Sequence, residues 1–139
     1  MDKVITLLWL DDDFGNAAIR TENDDLLLKG YKIIGVRTPD EFDDIVKGDT
    51  SFDCLIIDVS LPVGNRLNVG ASKKGMRTGL VLLEEIVQQQ RFSNIPIVVY
   101  TIVKSDDIKY FCKEHNITYI DKGEAEPWTL SSELERILK

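Results

Sequence analysis

Four apolar runs of strand length each stop at a polar residue. Val4–Leu10 stops at Asp11-Asp12-Asp13, Cys54–Ile57 at Asp58, Ile95–Tyr100 at Thr101, and Ile117–Ile120 at Asp121-Lys122. A fifth run, Lys32-Ile33-Ile34-Gly35-Val36, is shorter and more polar. Between the runs, apolar residues recur at helical spacing. The pattern predicts strands near 4–10, 32–36, 53–57, 96–100 and 118–121, and helices near 15–29, 39–47, 79–91, 105–115 and 129–138. Strict alternation of this kind predicts an α/β domain with a parallel sheet covered on both faces. The continuous apolar runs suit central strands buried from both sides, and the second and fifth strands are the expected edges.

Capping signals agree. Thr38-Pro39-Asp40-Glu41 sets a capping residue, a first-turn proline and a capping-box glutamate in order, ahead of Phe42, Ile45 and Val46 on one face. Ser105-Asp106-Asp107 is expected to cap a helix whose inward stripe is Ile108, Phe111 and Cys112. The last helix carries Leu130, Leu134, Ile137 and Leu138. One connection is long for a βα unit: the 16 residues from Val63 to Thr78 hold three glycines and the charges Arg66, Lys73, Lys74 and Arg77, with no acid. Connections beyond about 12–15 residues are usually functional or disordered, so this extended basic loop at 63–78 is expected to hang beside the strand ends.

In open α/β sheets ligands bind outside the carboxyl ends of the strands. Three acids, a hydroxyl and an amine would therefore share one crevice. Asp11, Asp12 and Asp58 oppose one another's ionisation, and Lys122 alone does not balance them. A divalent cation would. Carboxylates without His or Cys point to Mg²⁺, with Mn²⁺ possible, rather than zinc. Asp58, alone at the end of its run, is the better nucleophile for phosphorus, with Thr101 and Lys122 placed to hold phosphoryl oxygens. Asp13 is expected to be a helix-start residue, and Asp121 has no assigned role.

Composition narrows the rest. At 139 residues the chain is expected to be a single domain spanning 1–139. With 17 basic against 24 acidic residues and a net charge of −7, direct nucleic-acid binding is not expected. No apolar run approaches the roughly 18 residues of a membrane span, and the first residues lead straight into a strand, so no membrane association and a cytoplasmic location are expected. Cys54 and Cys112, without metal-ligand spacing, are expected to be reduced packing residues.

The ordered set resembles a known family, the receiver domains of two-component response regulators, of CheY-like fold. Its pieces are Leu10-Asp11-Asp12-Asp13, Ile57-Asp58-Val59-Ser60-Leu61-Pro62, Gly79-Leu80, Tyr100-Thr101 and Tyr119-Ile120-Asp121-Lys122, from about Val4 to Lys139. The resemblance implies a doubly wound (βα)5 fold with strand order 2-1-3-4-5. It implies phosphorylation of Asp58 by a histidine kinase or histidine phosphotransfer protein. Asp12 and Asp58 would bind Mg²⁺ directly, Asp11 through water, and the backbone carbonyl of Ser60 would complete the ligands. Thr101 and Lys122 would hold the phosphoryl group, and Tyr119 would be the switch aromatic. Such a protein is not a conventional enzyme: it phosphorylates itself from a phosphohistidine donor, loses the group slowly, and presents a downstream target with a surface built from its fourth helix, fifth strand and fifth helix. It stands alone or belongs to a longer protein. Three features depart from the family pattern: the basic loop, Ile102 after the threonine where a small residue is usual, and Gly123 after the lysine where proline is usual. They imply altered kinetics, with Ile102 expected to restrict access or impede the switch. The competing readings are a pseudo-receiver interaction module that has abandoned phosphorylation and a Mg²⁺-dependent haloacid dehalogenase-type phosphohydrolase. The latter draws on the DxD of Asp11 and Asp13 but lacks threonine or valine at Gly15.

Overall fold

The computed structural model describes residues 3–60 and 78–139. Five parallel strands, β1 (Thr6–Leu10), β2 (Lys32–Val36), β3 (Cys54–Ile57), β4 (Ile97–Thr101) and β5 (Thr118–Asp121), form one sheet in the order β2-β1-β3-β4-β5. Five helices connect or follow them: α1 (Arg20–Leu28), α2 (Pro39–Lys47), α3 (Thr78–Val87), α4 (Asp106–Glu114) and α5 (Thr129–Leu138). This is the doubly wound fold expected from the sequence, with β2 and β5 at the edges.

Alternation along the central strands divides the core. Leu8, Leu10, Leu55, Ile57 and Val99 pack with Phe42 of α2, Leu83 and Ile86 of α3, and Ile108 and Cys112 of α4. Leu7, Trp9, Cys54, Ile56, Val98 and Tyr100 pack with Leu26 of α1 and Leu130 and Leu134 of α5. Every residue of β3 and β4 is buried, as strands covered on both faces require. Both cysteines are buried and unpaired; burial pushes the Cys54 thiol up to about 12 and the Cys112 thiol up to about 11. They are packing residues.

The α2 cap forms as expected: the Glu41 amide donates to Thr38 Oγ1 at 3.1 Å, while the Glu41 carboxylate accepts from the Arg37 amide at 2.9 Å. Three local expectations need correction. Helix α1 begins at Arg20, after a 3-10 turn at Ala17–Ile19, rather than at 15, because Gly15 has φ +91° and Asn16 is extended. Asp13 is therefore not a helix-start residue. Ser105 occupies the N-cap position of α4, but its hydroxyl makes no capping bond. Helix α3, described over Thr78–Val87, stops at Val87 rather than at 91, with a separate 3-10 turn at Gln90–Phe92. The basic loop at 63–78 lies outside the described residues except for Thr78, the first residue of α3. Among the described residues, no helix is long and apolar enough to cross a membrane.

Candidate functional site

Parallel pairing continues one residue past the strand ends, and this brings the site together. The Asp11 amide donates to the Val36 carbonyl at 3.0 Å, the Asp58 amide to Leu10 at 2.9 Å, and the Lys122 amide to Thr101 at 2.8 Å. Each chain leaves the sheet only after its polar residue has been aligned with its neighbours. The apolar run anchors the strand, and the first polar residue beyond it stands at the carboxyl edge.

Asp11, Asp58 and Thr101 are buried. Lys122 Nζ donates to Asp11 Oδ2 at 2.7 Å and to Asp58 Oδ2 at 3.1 Å, so one ammonium bridges two carboxylates. The second Asp58 oxygen accepts from Thr101 Oγ1 at 2.6 Å and from the Ser60 amide at 2.9 Å. The second Asp11 oxygen accepts from the Asp13 amide at 2.8 Å. Asp12 is exposed, and its carboxylate makes no hydrogen bond to another described residue. Acidic ligand atoms of Asp11, Asp12 and Asp13 lie within 4.8 Å of one another. Asp13, set aside in the sequence, thus belongs to the acidic cluster.

The electrostatics are those of an under-neutralised site. Burial raises the Asp11 carboxyl above its ordinary range and Asp58's charge adds to this, with Lys122 opposing. Asp12, though exposed, is also raised, by partial desolvation first and then by repulsion from Asp13 and Asp58. Burial works against the charge of Lys122, but Asp58 and Asp11 outweigh it and hold the ammonium above its ordinary value. Two tests on the geometry favour a divalent cation. The donors are all carboxylates, the set that Mg²⁺ and Mn²⁺ accept, and the Asp12 carboxylate, whose charge desolvation and then repulsion disfavour, bonds to no other described residue. The residues present fit such an ion.

The adjoining loops explain two sequence features. Asp121 accepts from the Gly123 amide at 2.9 Å and pairs with Lys104 at 3.2 Å, while Lys104 also reaches Glu124 at 3.4 Å. A proline at 123 would have no N–H for this turn, so glycine after the lysine is matched to Asp121. Ile102 is 63% exposed, so its side chain lies mostly in solvent. Tyr119 is half-buried, and its phenol donates to the Val103 carbonyl at 2.6 Å. The Val103 amide donates to Thr101 Oγ1 at 3.2 Å. Neither Asp121's turn nor the double engagement of Val103 was anticipated; Asp-Lys-Gly was the one available signal, as a turn sequence.

No protein-family model and no curated protein matches the chain. Solved structures do. The chain is similar to the chemotaxis response regulator CheY4 of Vibrio cholerae, at 23% identity over 97% of this chain and 99% of that one, with a TM-score of 0.71. It is similar to a CheY-like response regulator receiver domain protein from Methanospirillum hungatei, at 20% identity over 98% and 94%, with a TM-score of 0.74. It is also similar to a protein described as a response regulator from Chloroflexus aurantiacus, at 26% identity over 98% of both chains, with a TM-score of 0.72. Nearly the whole chain therefore has the CheY-like fold of response regulator receiver domains.

Proposed function

We propose that the chain is a single receiver domain of a two-component system, which takes a phosphoryl group onto Asp58 and alters a protein-binding surface in response. One observation carries the reading: Lys122 bridges Asp11 and Asp58 while the Thr101 hydroxyl and Ser60 amide hold the other Asp58 oxygen. A structural ion pair needs no such convergence from four strand ends.

In this reading Asp58 attacks the phosphorus of a phosphohistidine on a kinase or phosphotransfer protein. A P–O bond forms as the P–N bond breaks, and the imidazole nitrogen keeps the bonding pair. Asp58 is oriented for this by its three donors. Once an oxygen of Asp58 is esterified, Lys122 remains to pair with a phosphoryl oxygen, and the Thr101 hydroxyl turns from the carboxylate to another. Mg²⁺, when bound, supplies positive charge against the approaching anion. Asp12 and Asp58 would hold it, Asp11 would act through water, and the Ser60 carbonyl would complete the protein donors, as the family resemblance implies. Thr101 and Tyr119 would carry the change to the face of α4, β5 and α5, where a downstream protein binds. The domain works in the cytoplasm, with no role for nucleic acid or membrane contact.

The test is intact mass after incubation with Mg²⁺ and a small acyl-phosphate donor, beside an Asp58→Asn variant. The expected result is a gain of one phosphoryl group that the variant lacks. A gain that persists in the variant overturns the assignment of Asp58. No gain and no Mg²⁺ binding would leave an interaction module without phosphorylation, and multiple-turnover hydrolysis of unrelated monoesters would indicate a phosphohydrolase.

A further inference from the structure

The acidic loop between β1 and α1 has an anchor of its own. Phe14, directly after the three aspartates, lays its ring over Gly35 of β2, so that a Cβ at Gly35 would overlap the ring atoms Cδ1, Cε1 and Cζ. The same ring meets Trp9 edge-on, with centroids 5.6 Å apart and planes at 72°. Trp9 is the register partner of Gly35, so the absent side chain on β2 leaves a notch beside the indole, and Phe14 fills it. Only glycine permits so close an approach from the strand.

The loop is tied to the same stretch of β2 at two further points. The Asp11 amide donates to the Val36 carbonyl at 3.0 Å, and Arg37 Nε donates to the Asp12 carbonyl at 3.4 Å. Within the loop the Phe14 amide donates to the Asp11 carbonyl at 3.0 Å, so the ring and the first acid are held in one turn. Gly15, with φ +91°, then turns the chain away toward α1. Three adjacent carboxylates repel one another, and a loop carrying them would spread unless fastened. Besides these polar ties, the seat of the Phe14 ring supplies an apolar fastening that carries no charge of its own.

We propose that Phe14, seated in the notch of Gly35, is a positioning residue that holds Asp11, Asp12 and Asp13 in the arrangement that binds a divalent cation. The inference rests on the receiver reading of the site. Phe14 touches neither the cation nor the phosphoryl group; it acts through the aspartates.

The experiment measures the dissociation constant of Mg²⁺ alone, by calorimetry and by tryptophan fluorescence, for the full chain and for Phe14→Ala, Gly35→Ala and the double variant Phe14→Leu with Gly35→Ala. A Phe92→Leu variant, whose ring packs in the core away from this loop, controls for general destabilisation. Phe14→Ala and Gly35→Ala are each expected to weaken Mg²⁺ binding about tenfold, or about 1.4 kcal/mol, with the control unchanged. In the double variant the smaller leucine leaves room for the added methyl group, and affinity is expected to return to within about threefold, or about 0.7 kcal/mol, of the unmodified chain. If Gly35→Ala does not fold, Phe14→Ala decides, because it creates no overlap. Wild-type affinity in Phe14→Ala, or equal weakening in Phe92→Leu, overturns the proposal while leaving the receiver reading intact. No Mg²⁺ binding by the unmodified chain overturns the metal site itself, and the positioning role with it.

Discussion

Replacing Lys122 by methionine keeps the aliphatic stem and removes the ammonium 2.7 Å from Asp11 and 3.1 Å from Asp58. Asp11 is 0% and Asp58 3% exposed, so neither charge left behind regains its hydration. At an effective dielectric of about 20, unit charges roughly 3 Å apart attract by about 5 kcal/mol, and much of that offsets the desolvation of the groups. Removing one partner of a buried pair costs about 3–5 kcal/mol. Because Lys122 keeps 13% of its side chain exposed, the lower end of that range, about 3 kcal/mol, is expected for the metal-free variant near neutral pH. The pH dependence gives the sharper test. Asp11 already lies above its ordinary range, and losing Lys122 raises it further. The folded variant then holds a proton that the unfolded chain releases, so stability falls as pH rises between the ordinary carboxylate range and the folded-state value. The slope is about 1.4 kcal/mol per pH unit for one proton. Urea denaturation in chelator should therefore show the deficit relative to wild type shrinking by about 1–3 kcal/mol between roughly pH 7 and pH 5. Adding Asp11→Asn should remove most of that dependence. A deficit equal at both pH values, or wild-type stability near neutrality, would refute the electrostatic account of the site.

Saturating the site with Mg²⁺ at about 100 times its dissociation constant should stabilise the protein by about 2.7 kcal/mol; Asp12→Asn should abolish most of this gain in urea melts, whereas Asp107→Asn on exposed α4 should leave it. In metal-free buffer Asp12→Asn should be slightly more stable than wild type, because it removes a carboxylate that Asp13 and Asp58 repel. Tyr119→Phe loses the bond to the Val103 carbonyl and should cost about 1 kcal/mol, with faster amide exchange confined to the 102–105 loop. The thiols of Cys54 and Cys112, pushed to about 12 and about 11, should react with a disulfide reagent only as fast as the chain opens; immediate labelling of the native protein would contradict their burial.

Strand existence and the identity of the edge strands were legible because each central strand is an uninterrupted apolar run that stops at a side chain with chemistry; the order β2-β1-β3-β4-β5 came only with the family resemblance. That Asp58, Thr101 and Lys122 stand together at the carboxyl edge was legible for a related reason: Asp58 directly follows the run of β3, Thr101 closes β4, and Lys122 comes directly after β5. What escaped the sequence depends on contacts between segments. The start of α1 is displaced by Gly15's positive φ and the extended Asn16, which periodicity does not register. Asp13 looked like a helix cap only while the helix was thought to begin there. Gly35 carried no signal of its own in the sequence, whereas its missing side chain is the space that Phe14, 21 positions away, occupies. Gly123 looked like a missing proline until its amide was found on Asp121.

The same local bonds bear on how a change at Asp58 would travel. Val103 has its N–H on the Thr101 hydroxyl and its carbonyl on the Tyr119 phenol, so one residue's backbone joins the hydroxyl bonded to Asp58 to the aromatic on β5. Thr101 has a single hydroxyl proton, which now goes to Asp58. If a phosphoryl oxygen claims that proton, the hydroxyl moves, and the Val103 amide must follow or lose its acceptor. Following strains the Tyr119 bond; not following leaves a half-buried N–H unsatisfied, at about 1–3 kcal/mol. Lys104, the next residue, adds ion pairs to Asp121 and Glu124, but it is 56% exposed, and exposed pairs contribute only about 0–1 kcal/mol. The loop is thus held by interactions each near the size of a fivefold to tenfold population shift, small enough for the differential contacts of one phosphoryl group to reverse.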